Sequence, residues 1–573
     1  MILQALYELY ERKCAAADPA ERLPPFGFEE KRIPFVIEID AAGQLVQIKD
    51  TRETMGKKRV GRTFLVPQGV KRSHIASNLL WDTAEYALGI DARGKPERVA
   101  KQHAAFIARI DALPAEARDD AGVRAVRAFL AQMPFRALEK QKAWDEIRRD
   151  NPIVSFQLHG DVELVCQRPA VTRNVVAPDD EDEAPTGHCL VTGATVPIER
   201  LHPSIKGVWG AQTSGANIVS FNLDAFASFG REQGGNAPVG KPAAFAYTTA
   251  LNHLLASDST HRVQVGDAST VIWAQRPDEL EDALPLLFGE AKDDPSAAVE
   301  AARKLYTAVQ SGRLAGSDGD NRFYVLGLAP NAARIAVRFW YAGPLRELAP
   351  RVVRHFDDLA VVHRPEEPER LSMFRLLVHC AVQRKADNIP PRLGGELVRA
   401  VFAGEDAPYP QALLNAAVNR CRAEREVTYP RASALKAWLN RHIRSTRSQD
   451  KEFTPMLDLD NPNPAYRLGR AFATLEKIQE EAQPGINATI RERYYGAASS
   501  TPVAVFTTLL RLSKHHLAKL SAGRKTQFEK LLGEVLSGVA DFPAHLGLAD
   551  QGRFALGYYH QRQAFFTKST DKE

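Results

Sequence analysis

Between Lys206 and Asn217 the chain reads Lys-Gly-Val-Trp-Gly-Ala-Gln-Thr-Ser-Gly-Ala-Asn, glycines interleaved with short amides and hydroxyls. Seven glycines fall between Gly207 and Gly240, about three times average usage. Glycine lets backbone approach a ligand closely and take positive φ. Gln212, Thr213, Ser214 and Asn217 add donors and acceptors without bulk. The chemistry this favours is binding, to a phosphate backbone or the edge of a base pair. It is not that of a nucleotide cofactor, because Lys206 precedes the glycines and no GK[ST] follows.

A second set is cationic. Arg52, Lys57, Lys58, Arg59, Arg62, Lys71 and Arg72 face one acid, Glu53, and Gly56 and Gly61 lend the run flexibility. Seven such charges can neutralise several phosphates. Asn78 follows within reach of the same turn, and Lys, Arg and Asn are residues that read base edges. The bland alternative is a solvated loop. Two further groups suit a single strand: Arg334, Arg338 and Trp340 on one face of a strand, and Arg491, Arg493, Arg511, Lys514, Lys519, Arg524 and Lys525 along C-terminal helices. Their structural alternatives are a covered sheet face and ordinary charged helix surfaces.

Catalytic patterns are missing. There is no GxSxG, HExxH or P-loop, and His515-His516 and Asp318-Gly319-Asp320 read as helix and turn. Cys166, His188, Cys189 and His202 lack the paired spacing of zinc ligands. The expectation is a non-enzyme with no cofactor and no metal.

Positioning these residues calls for an α+β fold, an N-terminal mixed region with antiparallel hairpins followed by a C-terminal all-helical bundle. Leu3, Leu6, Tyr7 and Tyr10 share a helical face. Phe35–Asp40 and Gln44–Lys49 alternate around Ala41-Ala42-Gly43 as a hairpin, with Thr63–Val66 as a third strand. Helices are expected over roughly 97–150, a strand over Pro152–Leu158, and a mobile acidic loop at 179–183. A helix at Tyr247–Ala256, strands at Arg262–Val265 and Thr270–Ala274, and a helix near 296–311 follow. Phe323–Leu328 and Ala333–Tyr341 form another hairpin, with Ile335, Val337, Phe339 and Tyr341 on one face. Beyond Leu345 the pattern is helical, interrupted at 364–368 and 453–464. The expected regions are 1–364 (α+β), 365–455 (helical connection) and 456–573 (helical bundle).

With 573 residues, 44% apolar and 25% charged, the chain is an ordinary globular sequence of several domains. Its net charge of +5 permits nucleic acid without requiring it. Five scattered cysteines fit a reducing compartment. With no signal peptide and no membrane-length apolar run, the expected location is the cytoplasm.

The sequence resembles the Csd-type large subunit of the type I-C CRISPR Cascade surveillance complex. The residues that carry the likeness are Met-Ile-Leu-Gln-Ala-Leu-Tyr-Glu at the start, Pro67–Ser73, Asn78–Asp82, His202–Gly207, Gly210–Asn222, Glu232-Gln233, Asn236–Val239, Ala246–Asn252 and Pro330–Trp340. The resemblance implies a non-catalytic subunit that binds near the CRISPR RNA 5′ handle and reads a protospacer-adjacent motif in duplex DNA. It implies help with duplex opening and recruitment of a helicase-nuclease in antiviral defence. Base pairing with the guide then reads the long sequence, and protein reads only a few base pairs.

The implied partners are CRISPR RNA, target duplex DNA, the backbone, handle-binding and small subunits, and the helicase-nuclease, with no membrane. Lys71, Arg72, Asn78, Gln212, Ser214 and Asn217 become duplex-reading candidates, the glycine-rich loop paired with the basic hairpin. The small subunit of such systems arises from an internal start, for which Met456 is well placed; residues 456–573 then resemble it. The rivals are a metal-dependent nuclease or CRISPR RNA-processing ribonuclease, and a scaffold that touches only protein.

Overall fold

A computed structural model describes residues 1–56, 58–70, 75–175, 185–289, 295–316 and 318–566, so the acidic stretch 179–183 lies outside it. The fold is α+β, with strands in the N-terminal part and a run of helices after Leu345. It divides into two compact units: Met1–Ala5, Pro203–Ser220 and Leu251–Glu573 make one, and Leu6–His202 with Phe221–Ala250 the other.

The unit containing Leu6–His202 is built on a four-stranded sheet, order β3-β2-β8-β7, from β2 (Phe35–Ile39), β3 (Leu45–Asp50), β7 (Trp81–Thr83) and β8 (Ile153–Leu158). β2 and β3 form the expected hairpin. Asp40 Oδ1 accepts from Ala42 N (2.9 Å) and Gln44 N (2.8 Å) at its turn. Gly43 there has φ +79°, and a Cβ would stand 2.7 Å from the Ala128 side chain, so both conformation and space require glycine. β8 runs parallel to β2, reached through the helices Pro96–Asp111, Ala121–Gln132 and Trp144–Asp150, as a parallel pair demands. Phe106, Phe129 and Phe156 are fully buried in this core, Phe129 meeting Phe156 edge-on at 5.9 Å.

The segment expected as a third hairpin strand is β6 (Arg62–Pro67), and it pairs instead with β1 (Phe28–Ile33). β1 reads Phe-Glu-Glu-Lys-Arg-Ile, with only its two ends buried, so alternation did not mark it. Two short ribbons also lie in this unit: β4 (Glu53–Met55) with β5 (Lys58–Val60), and β9 (Thr186–His188) with β10 (Thr195–Pro197).

The other unit carries an antiparallel sheet in chain order, β11 (Arg262–Val265), β12 (Ala268–Ala274), β13 (Arg322–Asn331) and β14 (Arg334–Pro344). A register shift between Gly327 and Leu328 leaves Arg338 without a cross-strand partner. That bulge breaks the alternation along β14, so Val337 is 41% exposed while Ile335 and Phe339 are buried. The expected shared face of Ile335, Val337, Phe339 and Tyr341 therefore does not run through.

One hydrophobic core extends from Val263 to Tyr559. Within it the helix Tyr429–Thr446 is buried nearly all round, charged residues included. Arg441 donates to Asp358 at 2.9 Å and lies over the Tyr409 ring at 4.5 Å. Arg444 reaches the same carboxylate at 2.6 Å. A buried cation survives by being paired, and these serve the fold.

Candidate nucleic-acid interface

The glycine-rich stretch is a closed loop. Ile205 and Ala216 exchange both backbone hydrogen bonds (2.8 and 2.9 Å). Asn252 holds the neck, accepting from Lys206 N at 2.7 Å and donating to the Ser204 carbonyl at 3.1 Å. Gly207, at φ +85°, lies so close to the chain that a Cβ would stand 2.5 Å from the Leu255 carbonyl oxygen. Gly215, at φ +92°, faces the Ile205 carbonyl in the same way. The glycines at the neck thus serve approach to the protein's own backbone, not to a ligand.

Trp209 N donates to Ser269 Oγ at 2.9 Å, tying the loop to β12. Tight turns link Ala211 N to the Val208 carbonyl (3.1 Å) and Gly215 N to the Gln212 carbonyl (2.9 Å). What remains outside is polar: Lys206, Gln212, Thr213 and Ser214 are all exposed. Trp209, 51% exposed, joins them; its residue type alone did not single it out from a core tryptophan.

Asn217 does not stand among these presenting groups. Its Nδ2 donates to the Pro203 carbonyl (3.1 Å), and its backbone oxygen accepts from Ile335 N (3.0 Å), a parallel bridge to Arg334. It braces the loop on the edge of β14. The loop and Arg334 are thus brought together.

The strand face behind them carries contacts of its own. Arg338 pairs with Asp267 at 2.9 Å. Trp340 stacks on Tyr324, ring centres 5.6 Å apart and 11° from parallel, with Trp273 at 5.6 Å. Arg338 is thus engaged in an ion pair and Trp340 in an aromatic cluster on the sheet.

The basic hairpin lies in the other unit. Lys57, Lys71 and Arg72, and the Lys58 side chain, fall outside the described residues. Arg52 is committed to the fold: it pairs with Asp50 (2.8 Å) and Glu146 (2.9 Å) and lies over the Phe35 ring at 4.5 Å. Its hydrogen bonds pull the Asp50 carboxyl down to about 2. Arg59 shares Asp50 at 3.0 Å. Arg62 is exposed, its guanidinium 5.4 Å from the Phe64 ring centre.

Asn78 is buried, accepting from Val70 N at 3.0 Å while its own N–H donates to Asp82 at 2.9 Å. Trp81 Nε1 donates to the Pro67 carbonyl at 2.9 Å and Gly69 N to Glu29 at 3.2 Å. Asn78 Oδ1 is therefore engaged in bracing Pro67–Val70.

The C-terminal cations sort in the same way. Arg491 pairs with Glu492 (3.0 Å) and Glu476 (3.7 Å), Arg524 with Glu481 (2.7 Å), and Lys525 with Glu529 (3.9 Å). Arg493, Arg511, Lys514 and Lys519 are exposed with no ion pair among the described residues. On the helix Phe506–Leu517, Phe506, Leu509 and Leu517 are buried.

Of the zinc residues considered, Cys166 is fully buried with its thiol pushed up to about 12 by desolvation, and His202 Nδ1 meets the Tyr247 hydroxyl at 2.6 Å. Among the described residues no three His, Cys, Asp or Glu side chains gather as for a metal ion. No helix there is long and apolar enough to cross a membrane.

A family model described as CRISPR-associated protein (Cas_Csd1) matches residues 6–566. The chain belongs to this family of CRISPR-associated proteins. No curated protein matches it.

Proposed function

We propose that the protein is the non-catalytic large subunit of a type I-C CRISPR RNA-guided surveillance complex, reading a short flanking motif in duplex DNA. In that role it aids opening of the duplex and recruits the helicase-nuclease in the cytoplasm. Family membership supports the setting. The observation that carries the reading is the braced loop Lys206–Gly215, which presents Lys206, Trp209, Gln212, Thr213 and Ser214 together. An amide and a cation held on a rigid neck suit base edges and phosphate, since little ordering cost remains at binding. The basic hairpin supplies sequence-independent attraction through Arg62 and its neighbours.

The test is binding of the guide-loaded complex to duplexes that differ only in the flank. Gln212→Ala is expected to narrow the preference between flanks by roughly tenfold, one lost base contact being worth about 1–3 kcal/mol. Lys206→Ala is expected to weaken all duplexes alike and to flatten the salt dependence. Equal affinity of the wild-type complex for every flank would overturn motif reading. Cleavage of DNA or RNA by the purified protein in magnesium or manganese would replace it with a nuclease.

A further inference from the structure

β14 is the end strand of its sheet, so its outer side carries no further strand among the described residues. At its start that side is already used for pairing, since Ile335 N donates to the Asn217 carbonyl at 3.0 Å in a parallel bridge at Arg334. Beyond the bulge the register is regular from Phe339 to Pro344. Proteins blunt an open edge with charge or proline, yet Phe339–Gly343 reads Phe-Trp-Tyr-Ala-Gly and holds neither. Such an edge offers its peptide donors and acceptors to another chain.

A cleft of about 210 Å³ runs beside it, lined by Phe339, Trp340 and Tyr341 of β14 and by Arg399, Phe402 and Ala403 of the helix Leu393–Ala403. Successive strand residues alternate between faces, so a cleft that touches three in a row lies along the strand's edge. The helix closes on the sheet at Gly395, where a Cβ would stand 3.0 Å from the Phe339 ring. Its far end is fixed by Arg351 Nη1 donating to the Phe402 carbonyl at 2.6 Å. The mouth is open, with Ala342, Arg399 and Ala403 all exposed. Arg399 has no ion pair among the described residues.

An apolar cleft between an edge strand and a helix, with one cation at its mouth, selects its occupant. Main-chain hydrogen bonds to the edge give an extended peptide its affinity, and the cleft takes one of its alternate side chains. A base finds poorer terms, because the Trp340 ring already stacks on Tyr324 and the Tyr341 ring meets Phe402 at 4.8 Å. A second copy fits no better. β14 carries Arg334 and Arg338 and no acid, so two such edges side by side set cation against cation. What Arg399 calls for is a carboxylate.

We propose that an extended segment of a partner protein adds to β14 as a further strand along Phe339–Gly343. It seats a large apolar side chain in the cleft and, two positions away on the same face, a carboxylate on Arg399. This surface is independent of the loop Lys206–Gly215 and of flank reading.

A random linear peptide library displayed on phage is selected on the purified full chain. It is counter-selected on Ala403→Trp, whose side chain fills the cleft from an exposed position. Enriched peptides are expected to share a large apolar residue two positions from an acid. One of them, labelled with fluorescein, is then titrated by polarisation. Methylating every second amide nitrogen should weaken binding roughly tenfold or more in the phase that faces β14 and little in the other, the mark of strand addition. Arg399→Gln should weaken the acid-bearing peptide by roughly tenfold and leave its glutamine counterpart unchanged. No enrichment under the counter-selection, enriched peptides without that spacing, or equal loss in both methylation phases would overturn the assignment. Self-association of the wild type that Ala403→Trp abolishes would give the cleft to a second copy instead. Oligothymidine bound by wild type and not by Ala403→Trp would give it to a nucleic-acid strand.

Discussion

Arg52 and Arg62 stand in the same basic run, yet one is spent inside the fold and the other faces solvent. Arg52 settles Asp50 and Glu146, the latter 94 residues away in sequence. Spacing counts cations but cannot see a carboxylate delivered by a distant helix, and that is why Arg52 read as one of a free cationic run. Asn78 and Asn217 teach the same point, because an amide that reads a base and an amide that caps a backbone are chemically identical. Asp50, held at about 2 by Arg52, sits below its unfolded value of about 3.9. Its contribution is therefore full above that value and is lost as pH falls towards the folded one. Arg52→Ala should cost about 2 kcal/mol near neutral pH, the scale of breaking a charged hydrogen-bonded pair. Chemical denaturation across a pH series should show the gap from wild type closing between about pH 4 and pH 2. A gap that stays constant over that range would place the loss in packing on Phe35 instead of the ion pair.

At the scale of elements, the hairpins and most helices were legible because their signals are local. Period-2 alternation around Asp40–Gln44 and helical spacing in Phe506–Leu517 need nothing from elsewhere in the chain. The pairing of β6 with β1 and the bulge at Arg338 are long-range outcomes, which local patterns do not encode. Helix–helix approach is another. Gly469 in the helix Pro464–Ala482 and Gly557 in the helix Leu548–Ala564 let the two backbones touch, since a Cβ on either would press into the carbonyl oxygen of Phe554 or of Tyr466. The contact is fixed by Tyr466 Oη against His560 Nδ1 at 2.9 Å. Alanine raises helix propensity by about 1 kcal/mol over glycine, but overpacking costs about 1–3 kcal/mol. Gly557→Ala should therefore lower the melting temperature. Gly533→Ala, in the helix Ala522–Leu536 with open space around it, should raise it. Equal shifts in one direction for the two variants would show that propensity, not packing, controls this bundle.

Over the whole molecule the expected boundaries at 364/365 and 455/456 do not coincide with the compact units, one of which runs from Leu251 onward. The breaks in helical pattern were real, with Asn463 capping the helix Pro464–Ala482 after the Asp-Asn-Pro-Asn run, but a break in chain direction is not a break in core. The helix Leu548–Ala564 shows why. Gly552 on it meets Leu414, Leu435 and Val418, all before Met456, and Tyr559 Oη donates to the Val362 carbonyl at 2.8 Å. A polypeptide begun at Met456 lacks every one of those partners, and the apolar face that covered them is left bare. Burying that face is worth roughly 25 cal/mol per Å², so the short product should associate with itself or with another subunit. Met456→Leu keeps an apolar side chain at an exposed position and removes the initiating codon. Expression from the intact gene should yield the full chain plus a fragment beginning at residue 456, and the variant should yield the full chain alone. Sedimentation of the isolated fragment should show an oligomer that dissociates when the bare face is made polar by Leu556→Gln or its neighbours. A fragment that persists in Met456→Leu moves the start elsewhere, and a stable monomer would mean that residues 456–573 close their own core without the helices before them.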